Sequence, residues 1–216
     1  MSTAQKKWLP IGTSIVKDDA GCNCGSRTAV LMAYPSLIPV GANNDFVGEN
    51  LFVGPSKIAN QGNNGATIST VVGYIASLWT AIGGAHITTI EIGINDIIVG
   101  TPTSSLANVP NLLTAYGNLL DMFPSLTPAV SGYKVVPMCI YNTLYQAGAW
   151  SGVVTAFNAG LAALVSARSS FCAGPGVLPV DLVAAEFGDG AMIHPNQAGH
   201  KRGAATGYIP ALASLV

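Results

Sequence analysis

His86-Ile87-Thr88-Thr89-Ile90-Glu91-Ile92-Gly93-Ile94 is the stretch on which the fold reading turns. It is dense in β-branched residues and predicts a strand buried on both faces. Both flanks carry a different period. Upstream, Ile68, Val71, Val72, Ile75, Leu78, Trp79 and Ile82 recur at helical spacing, with Thr67 placed as N-cap. Downstream, Leu106, Val109, Leu112, Leu113, Tyr116, Leu119 and Leu120 predict a second helix, with Pro110 in its first turn. The alternation continues to both ends. Trp8 to Ile11 reads as a first strand, although Pro10 suits a central strand poorly. Tyr133 to Tyr141 reads as another buried strand, Val153 to Val165 as a helix, and Leu178 to Ala185 as the last strand. A closing helix with Ile209 and Leu212 follows Pro195. Arg27 to Ala33 is read as a short helix, and Asp45 to Val47 and Lys57 to Asn60 as short extended pieces. Strands alternating with helices imply parallel pairing with helices on both faces, hence one α/β domain with a central sheet of about five strands.

The 216 residues suit a single domain, 1–216, and 50% of them are hydrophobic, enough for a sizeable core. Nine basic and ten acidic side chains leave a net charge of −1, without runs of like charge. Nucleic-acid binding and polybasic membrane-surface roles need a positive footprint, so neither is expected. Only 9% of residues are charged, against roughly 25% in an average soluble domain. Such a surface suits a secreted, virion-associated or homo-oligomeric protein, and leaves the compartment open. Mean hydropathy is +0.46, yet Gly or Pro interrupts every apolar stretch long enough for a bilayer, so no transmembrane segment is expected. Met1 to Lys7 is polar and is not expected to be a secretory signal. Cys22, Cys24, Cys139 and Cys172 are expected as buried or loop thiols with at most one bridge, and they lack the second ligand pair of a zinc site.

In open parallel sheets ligands bind beyond the carboxyl ends of the strands, so chemistry is sought in the loops that follow them. After the first strand comes Gly12-Thr13-Ser14-Ile15. A serine on a strand-to-helix turn presents its hydroxyl at the sheet edge and its own N–H to a bound oxyanion. After Asn60 comes Gln61-Gly62-Asn63-Asn64-Gly65-Ala66-Thr67-Ile68, where a glycine lets the backbone approach a ligand and offer an N–H. After the central strand comes Asn95-Asp96: the Asn95 amide can donate to a developing negative charge, and Asp96 can cap the segment that follows. The last strand leads to Gly188-Asp189-Gly190-Ala191-Met192-Ile193-His194-Pro195-Asn196, then to Gln197-Ala198-Gly199-His200. There His194 opens the closing helix, where a base can face the sheet edge. No metal is expected, because His194 and His200 are poorly spaced for one helix face and no acidic ligand accompanies them. Each loop alone is ordinary turn chemistry. In this order they add up to a serine nucleophile, two further oxyanion donors and a general base.

The order Gly12-Thr13-Ser14-Ile15, Gly65, Asn95 and His194-Pro195-Asn196 resembles the SGNH (GDSL-type) hydrolases over nearly the whole chain. The details lie closest to the carbohydrate-esterase branch. Trp8 to Ile15 is similar to its Pro-Leu-Gly-Asp-Ser-Ile-Thr block, and Asp45-Phe46-Val47-Gly48 to its Asp-Phe-Val-Gly segment. Gly62 to Ile68 is similar to Gly-x-x-Gly-x-Thr-Ile, Gly93-Ile94-Asn95-Asp96 to Gly-x-Asn-Asp, and His194 to Gly199 to His-Pro-Asn-x-x-Gly. The resemblance implies a flavodoxin-like, three-layer α/β/α esterase without cofactor or metal. Ser14 would be its nucleophile and His194 its base, with the Ser14 N–H, the Gly65 N–H and the Asn95 amide forming the oxyanion hole. Two positions depart from the pattern. Thr13 replaces the usual Asp before the nucleophile. Ala191 stands three residues before His194, where the family has its triad Asp. Asp189, in a loop lengthened by about two residues, is the favoured substitute; a backbone carbonyl serving a Ser–His dyad is the alternative, and Glu186 a distant third.

The expected reaction is hydrolysis of short carboxylic esters, acetyl esters of polysaccharides such as xylan above all, through an acyl-serine intermediate. Trp79 falls on an apolar helix stripe and is expected in the core. Trp150, in the loop after Asn142, is the candidate for stacking on a sugar, and Ala147 to Gly152 could wall the acyl pocket. Two rival readings stand beside this one. The first is a lipolytic carboxylesterase or lysophospholipase with the same catalytic set. The second is a non-catalytic glycan-binding or virion adhesion domain that kept the fold, which Thr13 and Ala191 motivate.

Overall fold

A computed structural model of the protein describes residues 6–13, 46–47, 61–62, 65–142, 148–178, 180–189, 191–213 and 215. Three parallel strands carry the sheet: β1 (Lys6–Gly12), β4 (Ile87–Glu91) and β5 (Lys134–Pro137). Two further pieces, β2 (Phe46–Val47) and β3 (Gln61–Gly62), are two residues each and pair with opposite ends of β1. The order is β2-β1-β4-β5, so the expected sheet of about five strands has only three of any length. β4 lies between β1 and β5, and all five of its residues are buried, as its unbroken β-branched run requires. Trp8 Nε1 donates to Thr89 Oγ1 at 3.1 Å, which satisfies that hydroxyl inside the core. Pro10 sits opposite Thr89, in the part of β1 between its pairings with β2 and β3, where a missing N–H costs little.

The helices are α1 (Ile68–Ile82), α2 (Ile94–Ile97), α3 (Pro102–Met122), α4 (Ser151–Ser166), α5 (Gln197–Gly203) and α6 (Ile209–Ala213). A π turn, Ala204–Tyr208, joins α5 to α6. Thr67 caps α1 as expected: its hydroxyl accepts from the Thr70 N–H, and Thr70 returns the bond to the Thr67 N–H. Trp79 on the buried stripe of α1 meets Phe123 edge-to-face at 5.8 Å and donates Nε1–H to the Pro128 carbonyl. Helices α3 and α4 pack through Tyr116 and Phe157, with ring centroids 6.0 Å apart. A Cβ on Gly117 or Gly160 would press on Leu164 and Arg168 or on Leu113, so small residues set the approach of these two helices.

Two sequence expectations are corrected. Helix α3 begins earlier than its apolar stripe: Thr101 caps it and Pro102 occupies the first turn, so Pro110 lies inside the helix. Its stretch is exposed, and water can serve the Leu106 carbonyl that Pro110 cannot bond. The last strand is not at Leu178–Ala185. Instead residues 171–176 cover the β5 edge through separate parallel bridges, Val135 with Cys172 and Met138 with Gly176. Between them Gly174 has a φ of +95° and Pro175 has no N–H, so no continuous ladder forms. Cys139 and Cys172 are free and buried, and burial pushes the Cys172 thiol up to about 12. Cys22, Cys24, the helix expected at Arg27–Ala33 and the extended piece at Lys57–Asn60 lie outside the described residues. Among the described residues no helix is long and apolar enough to cross a membrane.

Candidate active site

The strands end level with one another. Gly12 of β1 pairs with Gly62 of β3 on one side and Glu91 of β4 on the other. Thr13 follows and is fully buried. Ser14, the expected nucleophile, lies outside the described residues. Gly65, in the turn after β3, has a φ of +71° and open space where a side chain would stand, so backbone conformation is what favours glycine here. Gly93, at the end of β4, has a φ of +118°, and a Cβ there would come within 3.0 Å of Phe157 and 3.1 Å of Ile140. That glycine turns the chain out of the sheet into α2.

Consecutive residues of α2 then hold the turn after β3. Asn95 Nδ2 donates to the Ala66 carbonyl at 2.9 Å. The Asp96 carboxylate accepts the Ile68 N–H, at 3.2 and 3.1 Å from its two oxygens. Asp96 was expected to cap the segment after it, but it serves the first turn of α1 across 28 residues of sequence. Burial pushes its carboxyl up to about 6, against the lowering effect of its backbone hydrogen bonds. With the folded value above the ordinary 3.8, the native chain holds more proton than the unfolded one between those pH values. The Asp96 contribution to stability therefore falls as pH rises from about 4 to about 6, then levels off. Thermal unfolding of wild type and Asp96→Asn across pH 4–8 should show the wild type losing stability relative to the variant as pH rises from 4 to about 6, and a constant difference above that.

The second cluster lies between Val183 and the start of α5. Asp189 Oδ2 stands 2.6 Å from His194 Nδ1, and Asp189 Oδ1 accepts the N–H groups of Ile193 at 2.9 Å and His194 at 3.2 Å. The loop that allows this is closed by antiparallel pairing of Phe187 with Pro195, and the Gly188 N–H donates to the His194 carbonyl. Met192 takes a φ of 54° at the turn, a left-handed conformation that costs a non-glycine residue roughly 1–2 kcal/mol. The side chains of His194 and Asp189 are 25% and 17% exposed, so the pair is partly shielded but open to a ligand. Glu186, the third candidate for this partner, instead accepts from the Val183 N–H and from Arg202. Asn196 caps α5 through its oxygen and donates its amide to the Ala185 and Phe187 carbonyls. Gly199 lets the helix approach this loop, since a Cβ there would lie 2.5 Å from the Glu186 oxygen.

Residues that the sequence reading did not single out tie the two clusters to the sheet. The Tyr141 hydroxyl donates to the Ile193 carbonyl, next to His194, and the Tyr141 ring lies 6.3 Å from that of Phe187. Tyr141 also lines a small cavity with Glu91, Ile92, Ile94 and Ile140, at the end of β4 beside Asn95. Asn142 bonds both the N–H and the carbonyl of Leu182. Glu91 is buried and accepts the Tyr208 hydroxyl at 2.6 Å. Asn142, just past the strand expected at Tyr133–Tyr141, was a signal of this kind open to sequence reading. Trp150 is corrected: it is fully buried where α4 begins, so its ring has no face to offer a sugar.

No protein-family model matches the chain, and no curated protein matches it in sequence. Solved structures do match in fold. The family 3 carbohydrate esterase of Clostridium thermocellum superposes with a TM-score of 0.66 at 19% identity, over 98% of each chain. The two share an α/β fold with a parallel sheet. An acetylxylan esterase from Geobacillus stearothermophilus shares it, with a TM-score of 0.61 at 15% identity over 99% of this chain and 95% of its own. So does an α/β hydrolase from the metagenome of Lake Arreo, Spain, with a TM-score of 0.57 at 17% identity over 99% and 98%. The α/β class with a parallel sheet is the part of the expected fold that this likeness bears out. In this chain Gly65 and Asn95 are brought together through the Ala66 carbonyl, and Asp189 and His194 through their direct contact.

Proposed function

We propose that this chain is a serine esterase that removes short acyl groups, acetyl above all, from acetylated polysaccharide. The observation that carries the reading is the 2.6 Å contact between Asp189 and His194. A carboxylate on Nδ1 keeps that nitrogen protonated and leaves Nε2 as the acceptor a general base needs. The carbohydrate esterases that share the fold support the same chemistry.

In this mechanism His194 Nε2 takes the proton from Ser14 as its Oγ attacks the ester carbonyl carbon. The oxyanion is met by the N–H groups of Ser14 and Gly65 and by the Asn95 amide. The C–O bond to the alcohol breaks, and the alcohol leaves with the proton from His194. Water then gives its proton to His194 and attacks the acyl-serine, releasing the acid and restoring Ser14. Asp189 holds the tautomer and stabilises the imidazolium. The chemistry draws only on groups of this chain and on water.

The test is hydrolysis of p-nitrophenyl esters from acetate to octanoate by wild type and Ser14→Ala. Wild type should cleave acetate fastest, and Ser14→Ala should lose about a thousandfold or more. Equal rates from both proteins would refute the reading, and a preference for octanoate would move it to a lipolytic enzyme.

A further inference from the structure

Beside Asn95 an open groove of about 620 Å³ runs between the start of α1 and the first turns of α3. Thr67 and Asn95 stand at one end, Val99 and Ser104 in the middle, and Asn108 and Leu112 along α3. From Ser104 to Leu112 the helix advances about 12 Å. A two-carbon acyl group fills only a fraction of that, which leaves room for a larger part of a ligand.

Its lining decides which. The charged group in its lining is the Asp96 carboxylate, which disfavours a phosphate or a carboxylate there. Hydroxyl and amide groups predominate instead, with Val99 and Leu112 as apolar spots. Asn108 accepts from Asn111 Nδ2 through its oxygen at 3.0 Å, which leaves its own two N–H donors for a ligand. An alkyl chain laid here would cover the Asn108 donors and return no hydrogen bond to them. The hydroxyls of Thr67, Ser104 and Ser105 already bond within the chain, so a polyhydroxylated chain would pair with the Asn108 amide and still cover the apolar spots, as the CH faces of a sugar ring do.

We infer that this groove holds the sugar chain of the ester, with the acyl group at Asn95 and the neutral saccharide lying along α3 towards Asn108 and Leu112. The inference rests on the esterase reading for its orientation, but saccharide binding is measurable without catalysis. Asn108 and Val99 are exposed, and neither belongs to the proposed catalytic set, so Asn108→Trp and Val99→Trp fill the groove from its rim.

Turnover of an acetylated xylo-oligosaccharide and of p-nitrophenyl acetate is measured for both variants, with unfolding temperature as the check on folding. The expected result is at least a tenfold fall in kcat/KM on the oligosaccharide, with the small ester unchanged within twofold. An equal fall on both esters, or none on either, overturns the groove. In parallel, calorimetry measures binding of the same oligosaccharide to Ser14→Ala with and without Asn108→Trp. A Kd at least tenfold weaker in the filled groove is expected; an unchanged Kd, or no binding by the parent, overturns the inference. Groove-dependent binding by a wild type that cleaves no ester would keep the groove and refute the esterase.

Discussion

Asp189→Asn is expected to lower kcat on p-nitrophenyl acetate by about three to four orders of magnitude while leaving the fold in place. The two oxygens of Asp189 do different work. Oδ1 accepts the Ile193 and His194 N–H groups, and an asparagine oxygen can keep both bonds. Oδ2 faces His194 Nδ1 at 2.6 Å, and there the variant places an NH2 group. An amide donor opposite Nδ1 selects the tautomer with the proton on Nε2, which cannot take a proton from serine. Unfolding temperature should therefore stay close to wild type while turnover collapses. A loss below tenfold would point to a dyad in which His194 is oriented by some other group.

Asn95→Ala is expected to cost about a hundredfold or more in kcat, with a much smaller change in KM. The Asn95 amide has two N–H groups, and one is spent on the Ala66 carbonyl at 2.9 Å. That bond aims the side chain and ties it to the turn that carries Gly65, so two proposed oxyanion donors share one clamp. Removing it should cost stability as well, on the order of 1 kcal/mol. The Asn95→Asp variant separates the roles. It is nearly isosteric but offers an acceptor where the oxyanion needs a donor, so its kcat should fall at least as far as that of Asn95→Ala. If Asn95 served the turn alone, both variants would lose stability and keep their turnover.

Much of the fold could be read because its signals are local. The β-branched run at Ile87–Glu91 is long enough to demand burial on both faces. Thr67 announces α1 from one residue away, and the apolar stripes of α1 and α4 sit at the spacing that helical geometry imposes. The errors have local causes too. Pro110 looked like a helix start because proline favours a first turn, yet Thr101 and Pro102 supply a better one eight residues earlier. Leu178–Ala185 has the composition of a strand, but the β5 edge is taken by the stretch before it.

The amino-acid sequence alone determined the class of fold, because periodicity separates strand from helix, and it named Ser14, Gly65, Asn95 and His194 as the candidate groups. Only the tertiary structure decided which groups meet. Asp96 reaches back 28 residues to Ile68, Trp150 turns into the core rather than towards a ligand, and Asp189 rather than Glu186 lies against His194. That last choice depends on the pairing of Phe187 with Pro195 and on a left-handed turn at Met192. Neither follows from the spacing of residues, because the Tyr141 hydroxyl holds the Ile193 carbonyl beside that turn from 52 residues away.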